Sequence, residues 1–252
     1  MNYGLYLSAM GVLANSQRQD VIANNLANSE TVGFKKDLAL FQEQRTEAQI
    51  RGRSASRESN ELLEPLGGGL VPSGTTLDLS QGPIESTSNP LDVAILGDGY
   101  FAVRNGDRLM LTRAGRFQVD RNGILTTDAG HAVLSEKMSS ITLAPGAVDI
   151  GKDGTITQNG KTVGRLGVFS VPDPKLIAKR GANLMSYPDI ERSLKASDAQ
   201  LRNEALEQAN CEPTTELAAL MDTQRQLEAN ANMIRYQDQM LNRLVNDVAK
   251  IG

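Results

Sequence analysis

No tryptophan occurs in this chain, and phenylalanine and tyrosine occur only five times each. Base-binding and sugar-binding surfaces lean on stacked aromatics, so both become poor expectations. The single cysteine, Cys211, excludes an internal disulfide. It leaves the compartment open, because an oxidising space permits disulfides without demanding them. Cys211 is expected to be a small buried residue. The single histidine, His131 in "TTDAGHAVLSE", carries no mechanism alone, since a nucleophile needs a base and the base an orienting partner. No serine occupies a Gly-x-Ser-x-Gly elbow. One histidine and one cysteine cannot close a zinc site. No run approaches the roughly 20 apolar residues that span a bilayer.

Charge of one sign is also missing. Twenty-six basic residues face 30 acidic ones, for a net charge of −4. A nucleic-acid partner would need a basic face, and none is expected. Leu5 to Ala14 is mildly apolar, as in the core of a signal peptide, but the first basic residue is Arg18. Without a positive leading region, no cleavable secretory signal is expected. "DRNGILTTD", from Asp120, opens like a calcium loop. It fails at its fifth position, where Ile124 replaces an oxygen ligand, and no glutamate closes it. Asp120 is expected in a hairpin. No cofactor, metal or catalytic residue is expected, and nothing supports an enzyme.

Both ends of the chain carry helical patterning. From about Asn2 to Asn28 there is no proline, and Tyr6, Met10 and Leu13 follow 4-3 spacing. Leu5, Val12 and Leu26 form a second stripe, with Ile22 beside it, so apolar contacts fall on more than one side. Gly33 is the expected stop. Near the other end, Leu217, Leu220, Gln224, Leu227, Ala231, Ile234, Asp238, Leu241, Val245 and Val248 alternate steps of three and four. Such a seam predicts a coiled coil. Pro213 suits the first turn of that helix, where its missing N–H is no loss. Met233, Tyr236 and Met240 make a second apolar line that a two-helix hairpin cannot cover. Other subunits covering it is the favoured reading, a partly wet face the alternative.

The middle reads as β-structure. "LDVAIL", "YFAV", "RLMLT", "RFQV" and "GVFSV" are short strand-like runs. Beside them sit Asn105-Gly106, Asn122-Gly123, Asp153-Gly154 and Asn159-Gly160, the dipeptides of tight hairpins. Between Gln42 and Gly74 lies a polar stretch with Gly67-Gly68-Gly69, whose arginines and glutamates offset one another. It is expected to be a solvated linker. No Gly-Lys-Ser/Thr follows the glycines, so it is no phosphate loop. The expected fold is α+β: a discontinuous two-helix coiled-coil domain from residues 1–41 plus 204–252, a flexible linker at 42–74, and an inserted antiparallel all-β domain, sandwich or irregular barrel, at 75–203.

Three motifs then carry a resemblance. "VIANNLANSETVGFKKD" resembles the N-terminal signature of bacterial flagellar rod and hook proteins. "NPLDVAILGDGYFAV" and "LTRAGRFQVDRNGILTTDAGHAVL" are similar to their central motif, and "LEQANCEPTTELAALMDTQRQLEANANMI" to their C-terminal signature. The resemblance implies a subunit of a helical filament, with paired termini forming an inner α-helical domain. It implies rod and hook subunits as partners, export by the flagellar type III apparatus without a cleaved signal, and a place in the periplasmic rod. No nucleic acid or small-molecule substrate is implied. The chain is short for a hook subunit, and "NGKTVGRLGVFSVPDPKLIAKRGANLMSY" resembles the proximal-rod subfamily. A distal-rod subunit or rod-like paralogue is the alternative, and an accessory hydrolytic or cap factor one of another class. At "LEQAN" the chain continues Cys211, Glu212, Pro213, a departure from the usual pattern that bears on its neighbours.

Within that filament the expected assembly interface takes in Asn24, Asn25, Leu26, Ala27, Asn28, Gly33 and Phe34, with Leu217, Leu220, Leu227, Ala231, Ile234, Leu241, Val245 and Val248. Asn24 and Asn28 share a helix face, Asn25 points aside, and Leu26 turns to the apolar stripe. A carboxamide both donates and accepts, so it satisfies a neighbour without burying a charge. The alternative is that these asparagines cap a fraying helix end. Gly33 and Phe34 are expected to end the helix and anchor the turn toward the linker.

Overall fold

A computed structural model describes residues 2–44, 69–181 and 183–249. The expected linker thus lies outside the described residues over 45–68. The fold is α+β, with a helix at each end and an antiparallel β-rich middle. It divides into two compact units. Unit 1 comprises Met1–Leu26, Asp37–Thr76 and Pro213–Gly252; unit 2 comprises Ala27–Lys36 and Leu77–Glu212.

In unit 1 the N-terminal helix runs Asn2–Ala27. Nothing in its sequence breaks it until Asn28, where the carbonyl accepts from Thr31 N at 3.0 Å and the chain turns. The C-terminal helix runs Pro213–Ala249, with Pro213 at its first position and Glu216 in its first turn, where a carboxylate complements the helix dipole. Its 37 residues extend about 55 Å at 1.5 Å each. A Cβ on Gly4 would lie 2.8 Å from Gln237 Nε2, and one on Gly11 would lie 2.8 Å from Asn230 Nδ2. Seven residues forward on one helix meet seven residues back on the other, so the two run antiparallel there. Along the predicted seam Leu220, Leu227, Ala231, Ile234 and Leu241 are half-buried, whereas Leu217, Gln224, Asp238 and Val245 are exposed. The side chain of Val248 lies outside the described residues. Asp37–Glu43 and Leu70–Leu77 form a two-stranded sheet. Tyr6 Oη donates to Gln44 Oε1 at 2.7 Å, and Gln17 Nε2 to the Gly74 carbonyl at 3.4 Å.

In unit 2 all five strand-like runs become strands: Val93–Leu96, Tyr100–Asn105, Arg108–Thr112, Phe117–Val119 and Val168–Ser170. Neighbours pair antiparallel, Tyr100–Asn105 lying between Arg108–Thr112 and Ala132–Val133. Val148–Ile150, Thr155–Gln158 and Lys161–Arg165 form a separate three-stranded sheet. Of the four turn dipeptides, Asn159-Gly160 has both residues at positive φ, +50° and +76°, joining strands whose register closes at Gln158 and Lys161. This is the two-residue hairpin its sequence predicts. At the other three the glycine alone takes positive φ. The main core gathers Val93, Ile95, Phe101, Val103, Phe117, Leu125, Ile156 and Leu201 among others, with Phe101 and Phe117 edge to face at 5.1 Å. Each such side chain contributes roughly 1.5–3 kcal/mol by leaving water.

The last strand of unit 2 comes from beyond the expected β-domain boundary at 203. Gln200–Asn203 pairs with Val93–Leu96, and Ala205–Glu207 pairs with Ile84–Ser86. Residues 27–36 and 204–212, assigned by sequence to the helical domain, lie in unit 2.

Candidate functional site

Lys35 heads the largest fully buried side chains described. A buried ammonium persists only with partners, and Lys35 has two: Nζ donates to Glu207 Oε1 at 2.5 Å and to the Ser80 carbonyl at 2.6 Å. The second oxygen of Glu207 accepts from Arg113 Nη1 at 3.1 Å. Gly82 N also donates to Glu207 Oε1 at 3.1 Å. Arg113 donates through Nη2 to the Gly97 carbonyl at 2.9 Å and lies 5.1 Å over the Tyr100 ring. Two cations thus share one buried carboxylate. Burial pulls the Lys35 ammonium below the usual lysine range; Glu207 opposes that shift and Arg113 adds to it. Burial likewise pushes the Tyr100 phenol up. A lysine held low is a common mark of a nucleophile. Here the side chains of Lys35 and Glu207 are wholly inaccessible, so the cluster binds the protein to itself.

The backbone around the cluster is built for close approach. Gly33 sits at φ +67°, and a Cβ there would lie 2.5–2.7 Å from the backbone of Arg113 and Ala114. Its N–H donates to the Glu207 carbonyl at 2.7 Å. Phe34 is buried with Ala209 and Cys211, which places Cys211 in the interior as its type suggests. Asn210 Oδ1 accepts from Lys36 N at 2.7 Å, and Nδ2 donates to the Asp78 carbonyl at 2.8 Å. Partial burial raises the Asp78 carboxyl, but hydrogen bonds from Ser80 outweigh it and leave the group below its usual value.

The expected assembly residues separate on inspection. Asn25 is buried, and its carboxamide clamps one residue of its own chain: Nδ2 donates to the Asp37 carbonyl at 2.9 Å, and Oδ1 accepts from Asp37 N at 2.9 Å. Asn28 Oδ1 accepts from Thr31 Oγ1 at 3.4 Å. Asn24 and Ala27 are exposed, and Leu26 and Asn28 half-buried. Gly33 and Phe34 are buried in unit 2. Met233, Tyr236 and Met240 are all exposed. His131 is half-buried, with its N–H donating to Thr127 Oγ1 at 3.3 Å. Asp120 sits in a turn, its carbonyl accepting from Gly123 N at 2.8 Å. No metal-holding group of His, Cys, Asp and Glu exists among the described residues. Nor is any helix among them long and apolar enough to cross a membrane.

Lys35, Arg113, Glu207 and Asn210 escaped sequence reasoning as site residues. The only signal was their place within the family stretches, in "VGFKKD", "LTRAGRF" and "LEQAN". Sequence cannot say that three such charges, spread over more than 170 positions, meet.

Long terminal helices with exposed apolar side chains, and a β-unit holding an inaccessible ion cluster, fit a structural subunit. Three family models match in chain order. Residues 5–35 match the flagella basal body rod protein model, 94–158 the flagellar hook protein FlgE/F/G D1 domain, and 202–247 the flagellar basal body rod FlgEFG protein C-terminal model. Each match contributes one member of the Lys35, Arg113, Glu207 cluster. The flagellar basal-body rod protein FlgF of Caulobacter vibrioides is 32% identical, across 100% of both chains. FlgG of Bacillus subtilis is 34% identical over 96% of this chain and 97% of its own. FlgF of Mesorhizobium japonicum is 30% identical over 93% of each. The chain belongs to the flagellar basal-body rod protein family.

Proposed function

We propose that this chain is a structural subunit of the bacterial flagellar basal-body rod, that it assembles through its terminal helices into the axial drive shaft, and that its place is the proximal rod. The observation that carries this reading is the outward apolar face of the C-terminal helix. Met233, Tyr236 and Met240 are 52%, 61% and 71% exposed, and Leu244 adds to them. Large apolar side chains concentrated on one helix this way mark an interaction surface. Neighbouring rod and hook subunits are the partners that family membership suggests. In the assembly the two termini pair as a coiled coil, and the β-domain is a sandwich or irregular barrel.

The finer parts of the reading follow from the resemblance. The subunit leaves the cytoplasm through the flagellar type III apparatus without a cleaved signal and works in the periplasmic space. It needs no cofactor, catalyses nothing, and takes neither nucleic acid nor a small-molecule substrate. Relatives named FlgF and FlgG match at nearly equal identity, 32% and 34%, which favours a distal-rod subunit or rod-like paralogue as the second reading. Imaging of basal bodies from cells lacking the protein separates the two. Rods that stop near the inner membrane support the proximal place. Longer stubs that lack only the outer segment support the distal one, and normal rods and hooks sink both.

A further inference from the structure

Residues 31–36 cross unit 2 as a strap. Its bonds run largely to one short partner stretch: Gly33 N donates to the Glu207 carbonyl, Lys35 Nζ to the Glu207 carboxylate, Lys36 N to Asn210 Oδ1, and Asn210 N to the Phe34 carbonyl at 3.2 Å. Asn183 Nδ2 donates to the Val32 carbonyl, and Asp78 N to the Lys36 carbonyl. None of the strap's side chains belongs to the main core; its one aromatic, Phe34, packs in a separate small cluster with Ala209 and Cys211. Against that modest apolar gain stands a wholly buried ammonium, tolerated because Glu207 faces it.

We propose that the strap is charge-locked: one carboxylate, Glu207, holds residues 31–36 on unit 2, and neutralising it releases the strap while the β core stays folded. The asymmetry of the cluster is the reason. Arg113 keeps the Gly97 carbonyl and the Tyr100 ring without Glu207. Lys35 keeps one hydrogen-bonded carbonyl, Ser80, and the weaker pull of Asp78, which the like charge of Arg113 outweighs in a buried site. Its escape is to carry the strap into water. Asn25 clamps Asp37 just beyond the strap, so what is released is a short loop with a pinned far end.

Amide hydrogen exchange on the full-length chain tests this with Glu207→Gln and Glu207→Gln/Lys35→Met. In the single variant the amides of Gly33, Phe34 and Lys36 should exchange on the order of a hundredfold faster, while those of Val93–Val103 keep their rates. In the double variant no unpaired ammonium remains, so strap protection should return to within about tenfold of the parent. The proposal is overturned if Glu207→Gln leaves the strap protected. It is equally overturned if core and strap lose protection together, or if Lys35→Met restores nothing.

Discussion

At the residue scale, much rests on backbone positions that tolerate one side chain. Gly33 is constrained twice, by positive φ and by the backbone of Arg113 and Ala114 where a Cβ would go. Gly106 also has positive φ, but open space surrounds it. Gly106→Ala should therefore cost only about 1 kcal/mol, whereas Gly33→Ala should cost clearly more than the about 1–2 kcal/mol of the left-handed backbone alone; urea unfolding compares them. Asn25 is constrained by hydrogen bonding. Asn25→Ala removes two hydrogen bonds to the backbone of Asp37 and should cost about 1–3 kcal/mol. Asn25→Asp should not rescue it, because the Asp37 carbonyl then faces a carboxylate instead of an amide donor. A thermal melt matching the parent for either variant would show that Asp37 finds other partners. Lys35 adds a pH dependence. Burial, against the pull of Glu207, makes the folded protein release this proton at lower pH than the unfolded chain. Between the two values the unfolded chain holds more protons, so stability rises with pH across that alkaline window. Lys35→Met should flatten that rise.

At the scale of elements, the two kinds of secondary structure differ in what holds them. The strands of unit 2 surround a core of fully buried side chains, including Val93, Ile95 and Phe101. Among the described side chains of the C-terminal helix Thr223 and Glu216 are the buried ones, and even the best-covered apolar ones are half-buried. Helices that bury little are marginal in water. In dilute monomer, amides of residues 5–26 and 215–245 should exchange faster than those of Val93–Val103, and equal protection would contradict this. Met240→Glu should change monomer stability by less than about 0.5 kcal/mol, as surface substitutions do. The same change should block incorporation into rods, since it puts a charge where a neighbour would bury a thioether. Normal motility in that variant would remove Met240 from any interface.

At the scale of the molecule, where each unit ends decides what folds alone. A fragment of 77–212 retains Ala205–Glu207, the strand that pairs with Ile84–Ser86 and supplies the buried Ala205 and Leu206. A fragment of 75–203 lacks that strand. The first should unfold cooperatively, and the second should show no sharp transition. A cooperative transition in 75–203 would make the last strand dispensable.

What the sequence by itself determined is the local grammar. Helical periodicity free of proline marked Asn2–Ala27, and Pro213 marked the start of the long helix. Apolar runs beside Asn-Gly and Asp-Gly marked five strands, such as Val93–Leu96 and Val168–Ser170, because turn and strand chemistry acts between near neighbours. The three family stretches were legible for the same reason, being contiguous. Tertiary structure alone decided what those stretches do to one another. That Asn25 turns inward to hold Asp37, that Gly33 needs its missing Cβ because Arg113 lies against it, and that Lys35 and Arg113 share Glu207 are matters of pairing at a distance. A side chain's type tells what partners it needs. Only the folded chain, by bringing residue 207 to residues 35 and 113, decides which partners it receives.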